Sequence, residues 1–215
     1  DLQRSVTFMS KTHTIITIGR QFGSGGREIG KRLADELGIE FYDKELLSRA
    51  AKDSKICKEL FETHDEKPTN SFLYSLVMDT YSMGFASGSV NEMPLNHKIF
   101  LAQFDAIKKI AEEGPCVLVG RCADYLLRIK PDCRCVFITA PLEKRIRTIS
   151  ARTGLDAKAA KQLIKKVDKQ RKYYYENYTD RKWGKHHGYD LCLDSSRLTK
   201  EQILKILTTL YETIE

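Results

Sequence analysis

The stretch GRQFGSGGREIG, residues 19–30, has the residue types of a loop that holds phosphate. Glycines let a backbone curl until several N–H groups point at one anion. A helix starting just behind adds its own N–H groups and the positive end of its dipole. Gly23, Ser24, Gly25 and Gly26 supply the curl here, and Arg27 and Glu28 open the amphipathic run behind it. The lysine of the pattern G-x-x-x-x-G-K-[ST] is absent. With Gly25 as the second glycine, Arg20 stands at the first, Gly26 at the lysine and Arg27 at the hydroxyl; Ser24 is the loop's one hydroxyl. Two readings stay open for the stretch alone: a nucleotide-binding loop served by guanidinium groups, or a tight strand-to-helix turn. A dinucleotide fingerprint, G-x-G-x-x-G, fits less well, because no strand ending in an acid follows at the required distance.

Such a loop acts only where a strand and a helix hold it. Residues 14–18, TIITI, are β-branched and stopped by glycine, which predicts a buried strand. Residues 28–37 read as a helix with Ile29, Leu33, Ala34 and Leu37 on one face and Gly38 as its stop. IEFYD reads as a second strand, and KELLSRAAK starts a helix. Phe100, Leu101, Phe104, Ile107 and Ile110 give residues 99–112 a helical period. PCVLVG, RCVFITA and YDLCLD are three further strands. Residues 141–152 predict an arginine-rich helix, residues 156–178 a very basic one, and WGKHHG a loop. SSRLTKEQILKILTTLYETI predicts a capped final helix with Leu204, Leu207, Leu210 and Tyr211 inward. Five apolar strands separated by helices predict an α/β domain with a parallel sheet and right-handed crossovers. Residues 51–97 show no clean period and read either as a substrate-facing insertion or as a helical pair with a loose loop. Residues 1–12 read as a leader or tail outside the fold. Arg49 and Arg121 follow strand ends, where open α/β sheets bind ligands.

The chain has 215 residues and a net charge of +7, which suits one globular domain and an anionic ligand. Its lysines are spread along the chain rather than massed in one tail, which argues against nucleic acid as the partner. None of the six cysteines, Cys57, Cys116, Cys122, Cys133, Cys135 and Cys192, forms a C-x-x-C pair or a zinc spacing with histidine. They read as buried, reduced thiols of a cytoplasmic protein. No apolar segment is long enough to span a bilayer, so no membrane partner is expected.

Four segments in order resemble the cytidylate kinase-like family of nucleoside-monophosphate kinases, over about residues 14 to 212. GSGGREIGKRLADELG resembles the family's loop and following helix. FYDKELLSRA matches an aspartate and an arginine six residues on, here Asp43 and Arg49. VLVGRCAD matches a Gly-Arg pair, Gly120 and Arg121; Cys122 replaces the family's acid, and Asp124 stands nearby as a substitute. Asp168 and Arg171 match an Asp-x-x-Arg of the lid, and YDLCLDSSRLTKEQI follows the closing strand and helix.

The resemblance implies a P-loop fold of five parallel strands in a single domain, residues 13–215. Residues 145–182 would be a helical lid, and residues 51–97 a variable insertion on the monophosphate side. It implies phosphoryl transfer from ATP to CMP or dCMP with Mg²⁺. The donor phosphates would lie on Arg20, Gly23, Ser24, Gly25, Gly26, Arg27 and Glu28, with a guanidinium replacing the lysine. Asp43, Arg49, Arg121 and Asp124 would frame the acceptor. Arg152 and Arg171 would reach the transferring group beside Arg27, with Asp168 orienting a lid arginine or a cytosine edge. Glu28 serves the helix dipole or holds metal through water; the sequence assigns no direct metal ligand. A non-catalytic nucleotide sensor and a small-molecule kinase with another acceptor are the alternatives, and the oligomeric state stays open.

Overall fold

Strand β1 (Ile15–Arg20) is buried along its whole length, because it lies in the middle of a parallel sheet with helices on both faces. The computed structural model describes residues 14–43, 49, 52, 53 and 95–213 (of residues 95–97, the backbone only). Residues 1–13, most of the 51–97 stretch and most of KELLSRAAK therefore lie outside the described residues; Arg49, Lys52 and Asp53 are helical.

The sheet runs β2-β3-β1-β4-β5 and every pairing in it is parallel. The other strands are β2 (Glu40–Tyr42), β3 (Cys116–Val119), β4 (Cys133–Thr139) and β5 (Leu191–Asp194). The chain leaves β1 for one edge of the sheet and returns to the other, so β1 stands where the order reverses. The carboxyl ends at such a reversal form a ligand crevice. Ile18 pairs with Val119 on one side and Val136 on the other, and Arg20 pairs with Ile138. That register brings the ends of β1 and β3 to one level.

Alternation splits the strand side chains between two cores. Ile15, Leu118, Cys135 and Phe137 pack beneath α2 (Leu95–Glu113) and the short α3 (Ala123–Leu127). Ile16, Ile18, Val117, Val136 and Ile138 pack against Ile29, Leu33 and Ala34 of α1 (Gly26–Leu37) and against Ile203, Leu204 and Leu207 of the last helix. A third cluster, Ile149, Ala160 and Ile164, joins α4 (Leu142–Thr153) and α5 (Ala157–Tyr178) into a hairpin, and Phe22 packs against it. Asp156 caps α5 by accepting from the Ala159 N–H at 2.7 Å. The last helix, α6 (Lys200–Glu212), starts on a complete capping box between Thr199 and Gln202.

The five strands and the helices between them stand as the sequence predicts, with ends displaced by a few residues. Three readings change. Helix α3 is too short to show a period, and WGKHHG contains a 3₁₀ turn, His186–Gly188. Cys192 is exposed rather than buried, because β5 is an edge strand; Cys116, Cys122, Cys133 and Cys135 are buried and free. Trp183 anchors the WGKHHG segment, edge-on to Phe137 at 5.4 Å between centroids. Tyr174 and Tyr175 are buried in packing, whereas Tyr173 is exposed. No helix among the described residues is long and apolar enough to cross a membrane.

Candidate active site

Gly25 is the N-cap of α1 just past the end of β1, and the Gly26 N–H donates to the Ser24 hydroxyl at 3.4 Å. The glycine loop and the first turn of α1 line a cavity of about 620 Å³. The walls are Arg20 to Gly23, Gly25 to Glu28, Asp43, Arg121, Thr148, Arg152 and Arg171. Five guanidiniums thus meet there, from β1, α1, the turn after β3, α4 and α5.

One carboxylate organises three of them. Asp43, just past β2, accepts from Arg27 Nε at 2.6 Å and from Arg121 Nη1 at 3.2 Å, with Arg20 Nη2 at 3.8 Å. Burial pushes the Asp43 carboxyl up, but the Arg121 and Arg20 charges and the hydrogen bonds from Arg27 and Arg121 outweigh it. The group is held below its ordinary range and stays ionised. Arg121 also donates to the Val119 carbonyl at 3.2 Å. Its backbone is left-handed, as is that of Cys122, with φ of 55° and 58°. Non-glycine residues adopt that conformation at a cost, and two in succession mark a turn imposed by its surroundings.

Arg20 explains both the glycine of the Gly-Arg pair and the missing lysine. A Cβ on Gly120 would stand 1.9 Å from Arg20 Nη1, so only glycine lets that guanidinium pass. A Cβ on Gly26 would stand 2.7 Å from the Arg20 Cβ, so the position that would carry a lysine is closed by Arg20 itself. Ser24 is inward-facing: its hydroxyl donates to the Gln21 carbonyl at 2.9 Å, and its carbonyl accepts from the Ser195 hydroxyl at 2.7 Å. Both contacts shape the loop, and Ser24 is not part of the cavity wall.

The helical hairpin closes the other side. Asp168 accepts from the Phe22 N–H at 2.8 Å and forms an ion pair with Arg145 at 2.5 Å. Arg145 also donates to the Phe22 carbonyl at 3.3 Å and the Ala140 carbonyl at 3.0 Å. The guanidiniums of Arg152 and Arg171 lie 5.0 and 5.6 Å from the Phe22 ring centroid. Arg171 reaches the Arg20 carbonyl at 3.5 Å.

Most of the predicted site residues converge: Arg20, Gly23, Gly25, Gly26, Arg27, Glu28, Asp43, Arg121, Arg152 and Arg171 share the cavity. Asp168 holds a lid-region arginine, Arg145, rather than lining the space. Arg49 and Asp124 also lie outside the cavity wall, although Asp124 lines a smaller cavity with Arg20, Arg121 and Arg171. Arg49 forms a paired salt bridge with Glu113, near the start of β3 and away from its carboxyl end. Asp124 is turned inward by α3 and accepts from the Tyr175 hydroxyl at 2.7 Å. Burial pushes its carboxyl up to about 6. Gln21, Phe22 and Thr148 line the cavity without a sequence signal, and buried Arg145 lies within a charged helix run that reads as a solvent face.

The family model described as the cytidylate kinase-like family matches residues 15–197. The chain belongs to that family. It is 28% identical over 212 residues to a cytidylate kinase of Methanopyrus kandleri, covering 93% of each chain. A solved structure of an uncharacterized protein from Eubacterium ventriosum superposes with a TM-score of 0.70 at 28% identity, covering 94% of this chain and 99% of that one. A shikimate kinase from Bacteroides thetaiotaomicron shares the fold at a TM-score of 0.52 and 14% identity, covering 93% and 98%. The chain therefore has the P-loop kinase fold: five parallel strands flanked by helices.

A carboxylate pair available for a resident metal is not found in the cavity. Asp43 is shared among arginines, Glu28 pairs with Lys200, and no cluster of three ligating side chains occurs among the described residues. Glu28 is the carboxylate on the cavity wall that arginine does not hold, so a Mg²⁺ ion there would meet at most one protein carboxylate.

Three outcomes follow from this geometry. Gly26→Lys does not restore an ordinary loop: its Cβ overlaps Arg20, and denaturant unfolding shows a loss of about 1–3 kcal/mol. Asp43→Asn leaves three guanidiniums without their carboxylate and destabilises the fold at pH 7 by about 3–5 kcal/mol. Added sulfate recovers more stability in this variant than in the parent. Because the folded pKa of Asp43 is lowered, its contribution exists above the ordinary carboxylate value and fades as pH falls through the folded one. The gap between parent and variant therefore closes in acid. Asp124 has the opposite sign. Its raised folded value gives stability below the unfolded pKa that is lost as pH rises to about 6. Asp124→Asn removes that loss, on the order of 3 kcal/mol between pH 4 and 7, in urea titrations at the two pH values.

Proposed function

We propose that the chain transfers the γ-phosphoryl group of ATP to a nucleoside monophosphate, with CMP or dCMP the favoured acceptor. The observation that carries this reading is the convergence of five guanidiniums on one cavity at the start of α1. Phosphoryl transfer brings two phosphate chains together, and the protein's main task is to position them and neutralise their charge. Arginine suits the task, since its planar fork gives paired hydrogen bonds to phosphate oxygens. The amides of Gly25 to Glu28 take the donor phosphates, and Arg27 stands in for the lysine. Arg121, with Arg20 behind it, holds the acceptor phosphate. Arg152 and Arg171 approach the transferring group from the hairpin. Bound Mg²⁺ neutralises charge on the phosphates, and Glu28 is the side chain placed to meet its water shell.

A second reading, phosphorylation of a hydroxyl on another small molecule, is favoured by one feature. Asp43 puts an ionised carboxylate into the same cavity, where it would accept from a hydroxyl and repel a phosphate. Membership of the cytidylate kinase-like family, the 28% identity to a cytidylate kinase, and the arginines beside that carboxylate favour the monophosphate.

The deciding measurement is ADP formation from ATP and Mg²⁺ across a panel of monophosphates. CMP or dCMP gives acceptor-dependent ADP. Arg121→Ala lowers kcat/KM for that acceptor at least tenfold, roughly one charge-assisted phosphate contact, while Arg49→Ala leaves it unchanged. ADP formation only with hydroxyl acceptors selects the second reading. ATP binding without turnover on either panel leaves a nucleotide sensor.

A further inference from the structure

Phe22 stands in the glycine loop with nothing in its residue type to suggest chemistry, yet four polar side chains of the α4–α5 hairpin converge on it. Asp168 takes its N–H at 2.8 Å and Arg145 donates to its carbonyl at 3.3 Å, so its backbone is clamped on both sides. Its ring has the guanidiniums of Arg152 and Arg171 at 5.0 and 5.6 Å from the centroid, one from each helix of the hairpin. The same ring packs on the Ile149, Ala160 and Ile164 cluster that joins those helices.

Arginine is long and gains entropy by swinging free, and two like charges over one cavity also repel. The negative face of an aromatic ring opposes both effects, because it attracts a cation placed within about 6 Å. The clamp on the Phe22 backbone fixes where that face lies, and the Ile149 cluster fixes the ring. We propose that Phe22 is a positioning residue: it holds Arg152 and Arg171 over the glycine turn, so that both charges are in place before phosphate arrives. The inference rests on the phosphoryl-transfer reading for its catalytic consequence, but not for its effect on anion binding.

The test compares the parent with Phe22→Leu and Phe22→Met, which keep apolar bulk without a ring, and with Phe22→Tyr, which keeps the ring. Two quantities are read on protein confirmed folded by its thermal transition: kcat with ATP and the best acceptor, and calorimetric affinity for inorganic tripolyphosphate. Phe22→Leu and Phe22→Met are expected to lower kcat about tenfold and to weaken tripolyphosphate to a similar degree, and Phe22→Tyr to restore both. In a double-mutant cycle, Arg152→Gln costs clearly less on top of Phe22→Leu than alone. Should the parent show no turnover while tripolyphosphate still follows the ring, the kinase reading falls and the role of Phe22 stands. Should the parent turn over and the ringless variants match it in kcat and affinity, Phe22 is packing alone and the inference falls by itself. A thermal transition lowered equally in all three variants, with kinetics and affinity unchanged, overturns it too.

Discussion

The ionised carboxylate of Asp43 is the interaction on which the site depends. Arginines repel one another, and burial removes the water that would screen them. Arg20 and Arg121 are nonetheless buried side by side, and Arg27 joins them from the helix start. Asp43 makes this possible by offering two oxygens to three partners. The cost of that arrangement shows in the chain around it. Arg121 and Cys122 accept left-handed backbone, Gly120 gives up its side chain, and β2 ends where the carboxylate is needed. A site assembled in this way has its cationic charge gathered beforehand, which reduces the reorganisation left for the moment of binding.

The same packing accounts for the altered loop. Where a loop lysine would place its charge, this chain has guanidiniums beneath and beside the turn: Arg20 at the end of β1 and Arg27 in the first turn of α1. Arg20 fills the space that a side chain at Gly26 would require. Lysine at that position and arginine at the end of β1 are therefore alternatives within this backbone, not additions. Arginine offers a rigid fork, and here it can serve Asp43 while its carbonyl meets Arg171.

What could be read from the sequence followed what is local. The β-branched run, the glycines behind it and the period of Ile29, Leu33 and Ala34 lie close together in the chain, and they specify a strand, a turn and a helix whatever surrounds them. Arg121 was legible because it directly follows an apolar strand, and a strand's carboxyl end is where a parallel sheet binds. Asp124 was named only as a stand-in for the acid that Cys122 replaces; α3 turns its side chain to Tyr175, where it lines a small cavity with Arg20, Arg121 and Arg171 beside the larger one. Arg49 matched by its spacing from Asp43, but spacing along a chain does not fix direction, and its guanidinium meets Glu113. Arg145 lies in a run of charges that looks solvent-facing. Its burial comes from Asp168 and the carbonyls of Phe22 and Ala140, all remote contacts with no trace in the local pattern.

The helical hairpin is tied to the loop by polar contacts and a small apolar cluster, whereas the sheet is sealed by two continuous cores. Regions that move in function are drawn from the less stable parts of a structure. The ties that hold the hairpin to the loop are Asp168 to the Phe22 amide, Arg145 to Asp168 and to the Phe22 carbonyl, and two guanidiniums beside one ring. A phosphate chain entering the cavity would compete for Arg152 and Arg171 but not for the Arg145–Asp168 pair, which lies outside the cavity wall. A ligand that engaged the outer arginines would therefore leave the inner pair, and the hairpin it ties to the loop, in place.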